Sequence, residues 1–499
     1  MHWAEVLAKR VIEEKRGQFT FVVASAITTS GPTHMGTIME FLMPGTISKL
    51  LNKMGYNIDF IFIADIMDAF DSIPQGLERF EWLKLDLGKP LYRVKDPFAC
   101  HESYGLHYMN EAKEYMEKFD TLPDEIIPVN KLYEDGWYDS YLILFYEKID
   151  EVREIFERTA MRELPKNWKD IVKPICRRCG RIDLTSLIKI ESNMIYYYCS
   201  NCRLEDKMDI STHEWKLAWR LDWPTRQDFL GVDIEGGGVD HFTKGGSWDT
   251  AVEIHRKIFG KEPPIGFKYG FVLMDGKKMS KSKGIGSLNT LMRYLHPVVI
   301  KYFLLKSDLE ENRNFKLNPN FLLSLYDEFY RVAKGELKDE KMRTALELSG
   351  KLDIKVPITD LIIYYQLYEN EETILRLRPE LKEEISELGR FCKFLISDKM
   401  IPEEYILKGE SLVPPPESLI FLKEFERRLD SGMSDEDIHN LVYKTAQDLS
   451  IDPKIAFKWL YLAILGKERG PRAGKLILIM GVEKVKKALR EAIKMIERI

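Results

Sequence analysis

Residues 19–37, FTFVVASAITTSGPTHMGT, decide the fold. Phe19 to Ala26 is an apolar, β-branched run without polar alternation, which predicts a strand buried on both faces in a parallel sheet. It passes into Ile27–Thr37, a turn carrying Gly31 and Pro32, and then into a helical pattern. Strand, glycine-bearing turn and helix N-terminus make a phosphate-binding arrangement, because the first amides of a helix have no partner within it. A second buried strand is predicted over Asn57–Asp65 (NIDFIFIAD), ending in Asp65-Ile66-Met67-Asp68. Carboxylates just past the end of a parallel strand lie where doubly wound folds bind ligands. Helix capping by Asp68 or Asp71 is the equal alternative.

A chain of 499 residues exceeds one core, so two to four domains are expected. Its 45% hydrophobic and 31% charged residues describe a soluble globular protein. A net charge of −5 excludes global attraction to nucleic acid, so RNA contact must come from local basic patches. No apolar stretch approaches the roughly 20 residues of a membrane span. The charged start MHWAEVLAKRVIEEKRG lacks a signal-peptide core, and a cytoplasmic location is expected.

Four of the six cysteines form two Cys-x-x-Cys pairs, Cys176/Cys179 and Cys199/Cys202. Two such knuckles about 20 residues apart present four thiolates to one tetrahedral ion and predict a zinc ribbon. Asp96, Cys100, His101 and His107 are a second candidate Zn2+ set within 12 residues, with Glu102 as a substitute ligand. A buried cysteine beside surface histidines is the plainer reading of that group.

Trp215, Trp219 and Trp223 recur every four residues, the spacing of a helix packed into a core. Arg220, Asp222 and Arg226 alternate with them, and aromatic faces plus a carboxylate also suit a cationic ligand. A strand is predicted over Phe229–Val232. After it comes a glycine-rich loop, Glu235–Asp249, whose backbone amides would approach a ligand, and then a helix to Phe259. Strand-like Phe271–Met274 precedes Gly276-Lys277-Lys278-Met279-Ser280-Lys281-Ser282-Lys283-Gly284, either a polyphosphate clamp or a solvated charge run. From Leu288 the pattern is helical, and the basic stretches Gly466–Lys475 and Val482–Ile499 suit an RNA loop or solvation.

Lys278 to Ser282 is spelled as the KMSKS loop of the class I aminoacyl-tRNA synthetases, and His34-Met35-Gly36 fits their His-x-Gly-His signature, with Thr37 in place of the second histidine. Trp219–Arg226 resembles the WRxDWPxR segment of class I lysyl-tRNA synthetases, and Asp240-His241 with Gly245-Gly246-Ser247 resembles their Gly-x-Asp-His and Gly-Gly-Ser. Asp71-Ser72 departs from the family, which usually carries basic residues there.

The resemblance implies an α/β fold: a Rossmann-like, doubly wound parallel-sheet catalytic domain with a zinc-bearing insertion, followed by an all-α C-terminal domain. The implied segments are the catalytic halves 1–90 and 211–287, the insertion 91–210 toward the tRNA acceptor end, a stem-contact region 288–345 and an anticodon-binding domain 346–499. The implied activity is ATP-dependent attachment of L-lysine to the 3′ end of tRNA(Lys) through a lysyl-adenylate, with Mg2+ accompanying ATP and a monomer expected. His34, Lys278 and Lys281 would be catalytic. Thr33, Gly36, Thr37, Asp240, Met279, Ser280 and Ser282 would bind ATP, and Thr28, Trp219, Asp222, His241 and Tyr269 would bind lysine. Glutamyl or arginyl specificity, a non-catalytic tRNA-binding paralogue and a small-molecule nucleotidylyltransferase are the alternatives.

Overall fold

A computed structural model describes residues 1–278, 288–368, 370–408 and 411–498; Met279, Ser280, Lys281 and Ser282 lie outside them. The chain divides into two units, the first made of Met1–Leu291, Lys301–Phe315 and Glu340–Gly350. That unit opens with helix α1 (Trp3–Glu14), whose end is closed by a capping box between His2 and Glu5. The run read as the deciding strand is β1 (Thr20–Ile27), followed by α2 (Met35–Lys53) and β2 (Asn57–Ala64). β1 and β2 pair in parallel from Thr20↔Asn57 to Ile27↔Ala64. Then follow α3 (Tyr104–Lys118), β3 (Glu125–Pro128) and the helices α4 (Val129–Glu134), α5 (Asp139–Glu147) and α6 (Ile149–Ala160).

β4 (Val172–Pro174) pairs antiparallel with β8 (Trp215–Leu217) and brackets the insertion, in which β5 (Thr185–Glu191), β6 (Met194–Cys199) and β7 (Leu204–Asp209) form a three-stranded ribbon. The chain returns through α7 (Trp219–Phe229), β9 (Ile234–Gly238), α8 (Val239–Phe242), α9 (Ser247–Glu253) and β10 (Ile265–Tyr269). The main sheet is all parallel, in the order β10-β9-β1-β2-β3. Strands β1 to β3 run outward on one side and β9, β10 on the other. The order therefore reverses between β1 and β9, the crevice where such sheets bind ligands. α2 packs against β1, β2 and β9. Pro44 inside α2 has no N–H for the carbonyl of Glu40, and the Ser25 hydroxyl of β1 donates to it instead.

Three expectations need correction. The strand placed at 229–232 lies at Ile234–Gly238, because α7 runs on to Phe229 and Gly231, at φ +63, ends the turn. Gly236 to Gly238, read as part of a loop, are extended strand, and the Phe267 ring lies so close that a Cβ on Gly236 would stand 2.4 Å from it. The tryptophan repeat crosses a boundary, with Trp215 on β8 and Trp219 and Trp223 on α7. Between α3 and α4 the edge strand β3 is only four residues long and is closed by Pro128.

Beyond β10, β11 (Val272–Met274) and β12 (Lys277–Lys278) form a hairpin. Its turn, Asp275-Gly276, has both residues at positive φ, as a primed two-residue turn requires. β13 (Arg313–Phe315) pairs in parallel with β11. The second unit, Met292–Ile300, Lys316–Asp339 and Lys351–Ile499, is mainly helical. Its helices start at legible caps: Asn318 and Asp452 ahead of proline-led helices, and Ser434 with Asp437 in a capping box. Its last helix, Val482–Ile496, buries Val485, Leu489 and Ile493. No described helix is long and apolar enough to cross a membrane.

Candidate active site

A cavity of about 410 Å³ opens at the C-terminal ends of β1, β2, β9 and β10. Thr28, His34, Gly36, Thr37, Trp219, Asp240, His241 and Tyr269, all singled out in the sequence, line it together. Glu40, Asp65, Asp68 and Arg226 complete its charged wall.

At the α2 end, His34 is the N-cap and its Nδ1 accepts the Thr37 N–H at 3.2 Å. With Nδ1 accepting, Nε2 carries the proton and is the donor of the ring. Gly36 faces that ring so closely that a Cβ would lie 2.9 Å from it. Thr33 does not line the cavity: it is buried, and its N–H donates to Glu111 at 2.9 Å.

The opposite wall is aromatic. Trp219 and Trp223 stack with centroids 5.4 Å apart, the Arg226 guanidinium lies 5.0 Å from the Trp219 ring centroid, and His241 packs edge-on against Trp223 at 5.6 Å. Ser247 fixes the His241 ring through Nδ1 at 2.9 Å. Tyr269 is buried, and its hydroxyl donates to the Glu40 carboxylate. Burial pushes the Glu40 carboxyl up to about 7; the Tyr269 bond opposes this, and the charges of Asp240 and Glu235 reinforce it.

The floor is a buried charge network. Lys216, on β8, bridges Asp65 at 2.6 Å and Asp68, and the Thr28 hydroxyl donates to the other oxygen of Asp68 at 2.6 Å. Burial pushes Asp65 up to about 6, with the Asp68 charge adding and Lys216 opposing. Burial acts on Asp68 too, but the Lys216 charge and the bonds from Lys216 and Thr28 outweigh it and hold Asp68 below the usual carboxylate value. Asp222 belongs beneath this floor rather than on the cavity wall. One of its oxygens accepts the Tyr133 hydroxyl at 2.6 Å and the other accepts Arg226 at 3.2 Å. Sequence reading missed Glu40, Lys216 and Tyr133. Glu40 alone left a trace, as a single charge in the apolar run Ile38–Met43.

Both metal candidates assemble in the fold. Each of the two sets, Cys176/Cys179/Cys199/Cys202 and Asp96/Cys100/His101/His107, offers four ligand atoms within 4.8 Å of one another. The first is an all-thiolate set and the second a mixed one, and both donor chemistries fit tetrahedral Zn2+. Lys278 ends the return strand of the β11–β12 hairpin, with backbone register opposite Leu273. The rest of the lysine-rich loop, Met279 to Ser282, lies outside the described residues.

Residues 1–351 match the family described as tRNA synthetases class I (K), and residues 358–493 match the anticodon binding domain. The chain is 29% identical to the lysine–tRNA ligase of Archaeoglobus fulgidus, over 99% of this chain and 100% of that one. It is 31% identical to the lysine–tRNA ligase of Pyrococcus horikoshii, over 98% and 99% respectively. The lysine–tRNA ligase of Borreliella burgdorferi is 29% identical, over 97% and 98%. A solved glutamate tRNA ligase from Elizabethkingia meningosepticum aligns over 95% of this chain and 99% of that one, with 14% identity and a TM-score of 0.46.

Proposed function

The chain belongs to the class I lysyl-tRNA synthetase family, and from that premise we propose how its own residues divide the work. The enzyme attaches L-lysine to tRNA at the expense of ATP, through a lysyl-adenylate, releasing pyrophosphate and then AMP. The observation that carries the assignment of roles is the cavity. It sets the His34–Thr37 turn against an aromatic and carboxylate wall at the reversal point of the sheet.

In the first step the lysine carboxylate attacks the α-phosphate of Mg-bound ATP in line, and pyrophosphate leaves. Catalysis here is positioning and charge stabilisation. The Nε2–H of His34 donates to a phosphate oxygen, and Lys278 and Lys281 meet the charge growing on the phosphates. Gly36 and Thr37 form the helix entry that receives the nucleotide, and Thr33 supports it from behind through its bond to Glu111. Met279, Ser280 and Ser282 form the rest of the clamp, and Asp240 takes the ribose hydroxyls. In the second step the terminal 2′-hydroxyl of tRNA attacks the adenylate carbonyl and AMP departs.

Lysine lies along Trp219 and His241, and its ammonium is received by Glu40 and Tyr269. Thr28, oriented by Asp68, faces the same space. Asp222 supports this wall from beneath, through Arg226, because both of its oxygens are already engaged. Four carboxylates face a cavity with one arginine, so the pocket suits a cation and would repel glutamate. Zn2+ held by the four cysteines, and a second ion held by Asp96, Cys100, His101 and His107, would tie their loops together. The helical unit reads the anticodon, the enzyme works in the cytoplasm, and one chain suffices.

Aminoacylation of total tRNA by the purified chain, with each amino acid in turn, tests the reading. Lysine alone should be esterified. Charging with glutamate or arginine would overturn the pocket assignment, and tRNA binding without charging would favour a non-catalytic protein.

A further inference from the structure

The mixed cluster and the nucleotide turn share helix α3. His107 lies in its first turns, with Cys100 and His101 just ahead of the N-cap, Ser103. Three groups of the same helix hold the turn that leads to His34. The Gly105 carbonyl accepts from the Thr29 hydroxyl at 2.9 Å, the Tyr104 hydroxyl donates to the Ser30 carbonyl at 3.1 Å, and the Glu111 carboxylate accepts the Thr33 N–H at 2.9 Å. Further along, the Tyr115 hydroxyl donates to Asn289, just downstream of the lysine-rich loop, at 2.8 Å. Tyr104, Glu111 and Tyr115 recur at helical spacing and so share one face, and His107 stands one turn before Glu111. Gly105 lets the helix approach the segment just after β2 closely: a Cβ there would meet Ile66 at 2.9 Å.

We propose that α3 is the positioning element of the nucleotide site, with Glu111 its positioning residue, and that an ion held by Asp96, Cys100, His101 and His107 anchors the start of this helix. Occupancy of the cluster is then felt as ATP affinity, while the lysine wall, built on α2, α7 and β10, is left unchanged. The cluster holds the loop 96–103 in an irregular path, with Ala99 at φ +55, against the first turn of α3. An ion replaces a set of weak mutual hydrogen bonds around Cys100, at 3.1–3.3 Å, with coordination of the same atoms. The inference rests on the nucleotide reading of the His34 turn.

The test uses the full chain purified with Zn2+. ATP and lysine dissociation constants are measured separately by calorimetry, and bound metal by elemental mass spectrometry. Glu111→Ala removes a hydrogen bond to a charged acceptor and should weaken ATP about tenfold, with lysine affinity within about twofold. Glu111→Gln, which retains an acceptor oxygen, should recover ATP binding to within about threefold of wild type. His101→Ala, at the open edge of the cluster, should lose one bound ion and weaken ATP by a similar factor, again sparing lysine. Equal loss of ATP and lysine affinity, failure of the glutamine variant to recover ATP binding, or unchanged ATP affinity after the ion is lost would each overturn the proposal. Unchanged metal content in His101→Ala would overturn it as well. A wild-type protein that bound lysine but no ATP would instead remove the nucleotide reading beneath it.

Discussion

Replacing Glu40 by glutamine keeps the volume and the acceptor for Tyr269 while deleting the charge proposed to receive the lysine ammonium. With an ionisation midpoint of about 7, roughly one tenth of the carboxyl is charged at pH 6 and about nine tenths at pH 8. If only the charged form binds well, the dissociation constant for lysine falls about tenfold across that range. The ligand's own side-chain ammonium, ionising near 10.4, stays charged throughout. Burial pushes the Tyr269 hydroxyl well above its ordinary value, so it remains a donor. Asp65, pushed up to about 6, titrates in the same range, and comparison with the Glu40→Gln variant isolates the Glu40 contribution. Losing a hydrogen bond to a charged group costs roughly 1.5–3 kcal/mol, or about 10–100-fold in lysine affinity. The ligand-free protein supplies a control. The folded Glu40 carboxyl holds its proton to about 7 and the unfolded one only to about 4.5, so stability is lost as pH rises through that window. Glu40→Gln should remove this loss, on the order of 3 kcal/mol, so weaker lysine binding at pH 8 cannot be unfolding. Calorimetric lysine titrations at pH 6, 7 and 8 decide the matter. A wild-type constant independent of pH, or a glutamine variant with wild-type affinity and slope, would refute the reasoning.

Lys216→Met leaves Asp65 and Asp68 without their bridging cation, and should lower stability by about 3–5 kcal/mol in urea unfolding at pH 8; a loss below about 1 kcal/mol would show that the carboxylates are otherwise compensated. Burial lowers the ionisation of His255 to about 4, so the unfolded chain takes up its proton first and stability declines as pH falls from about 6.5 to 4. His255→Gln should flatten that decline by up to about 3 kcal/mol, read from unfolding free energies at pH 7 and pH 4.5. Gly236→Ala pushes a methyl group into the Phe267 ring and should cost about 1–3 kcal/mol in thermal or urea unfolding.

The strand–turn–helix at residues 19–37 was legible because its β-branched run, glycine turn and helix entry all point to one local structure. Asp65 and Asp68 were legible as strand-end carboxylates, and the two thiolate knuckles as one metal set. Other features depend on partners distant in the chain. Asp222 reads as a ligand for a cation until Tyr133, 89 residues earlier, is seen to donate to it. Lys216 lies between Trp215 and Leu217 and resembles any charge in a short strand; only the fold brings it 151 residues back to Asp65. Gly236 to Gly238 carry no strand propensity; they are strand through their pairing with Phe267 to Tyr269 of β10, and the Phe267 ring fills the space a side chain on Gly236 would need. Glu40 was hidden by its setting, since one charge in an apolar helix carries no periodic signal.

One cavity at the reversal point of the sheet is proposed to hold lysine and the nucleotide together, with Glu40 and Tyr269 on the ammonium and the His34 turn on the phosphate side. A crystal structure with a non-hydrolysable lysyl-adenylate analogue tests it most directly. The lysine ammonium should lie within hydrogen-bonding distance of Glu40 and Tyr269, its chain along Trp219, and the adenosine beside His34, Gly36 and Asp240. An ammonium seated on another carboxylate, or a nucleotide bound away from the His34 turn, would contradict it.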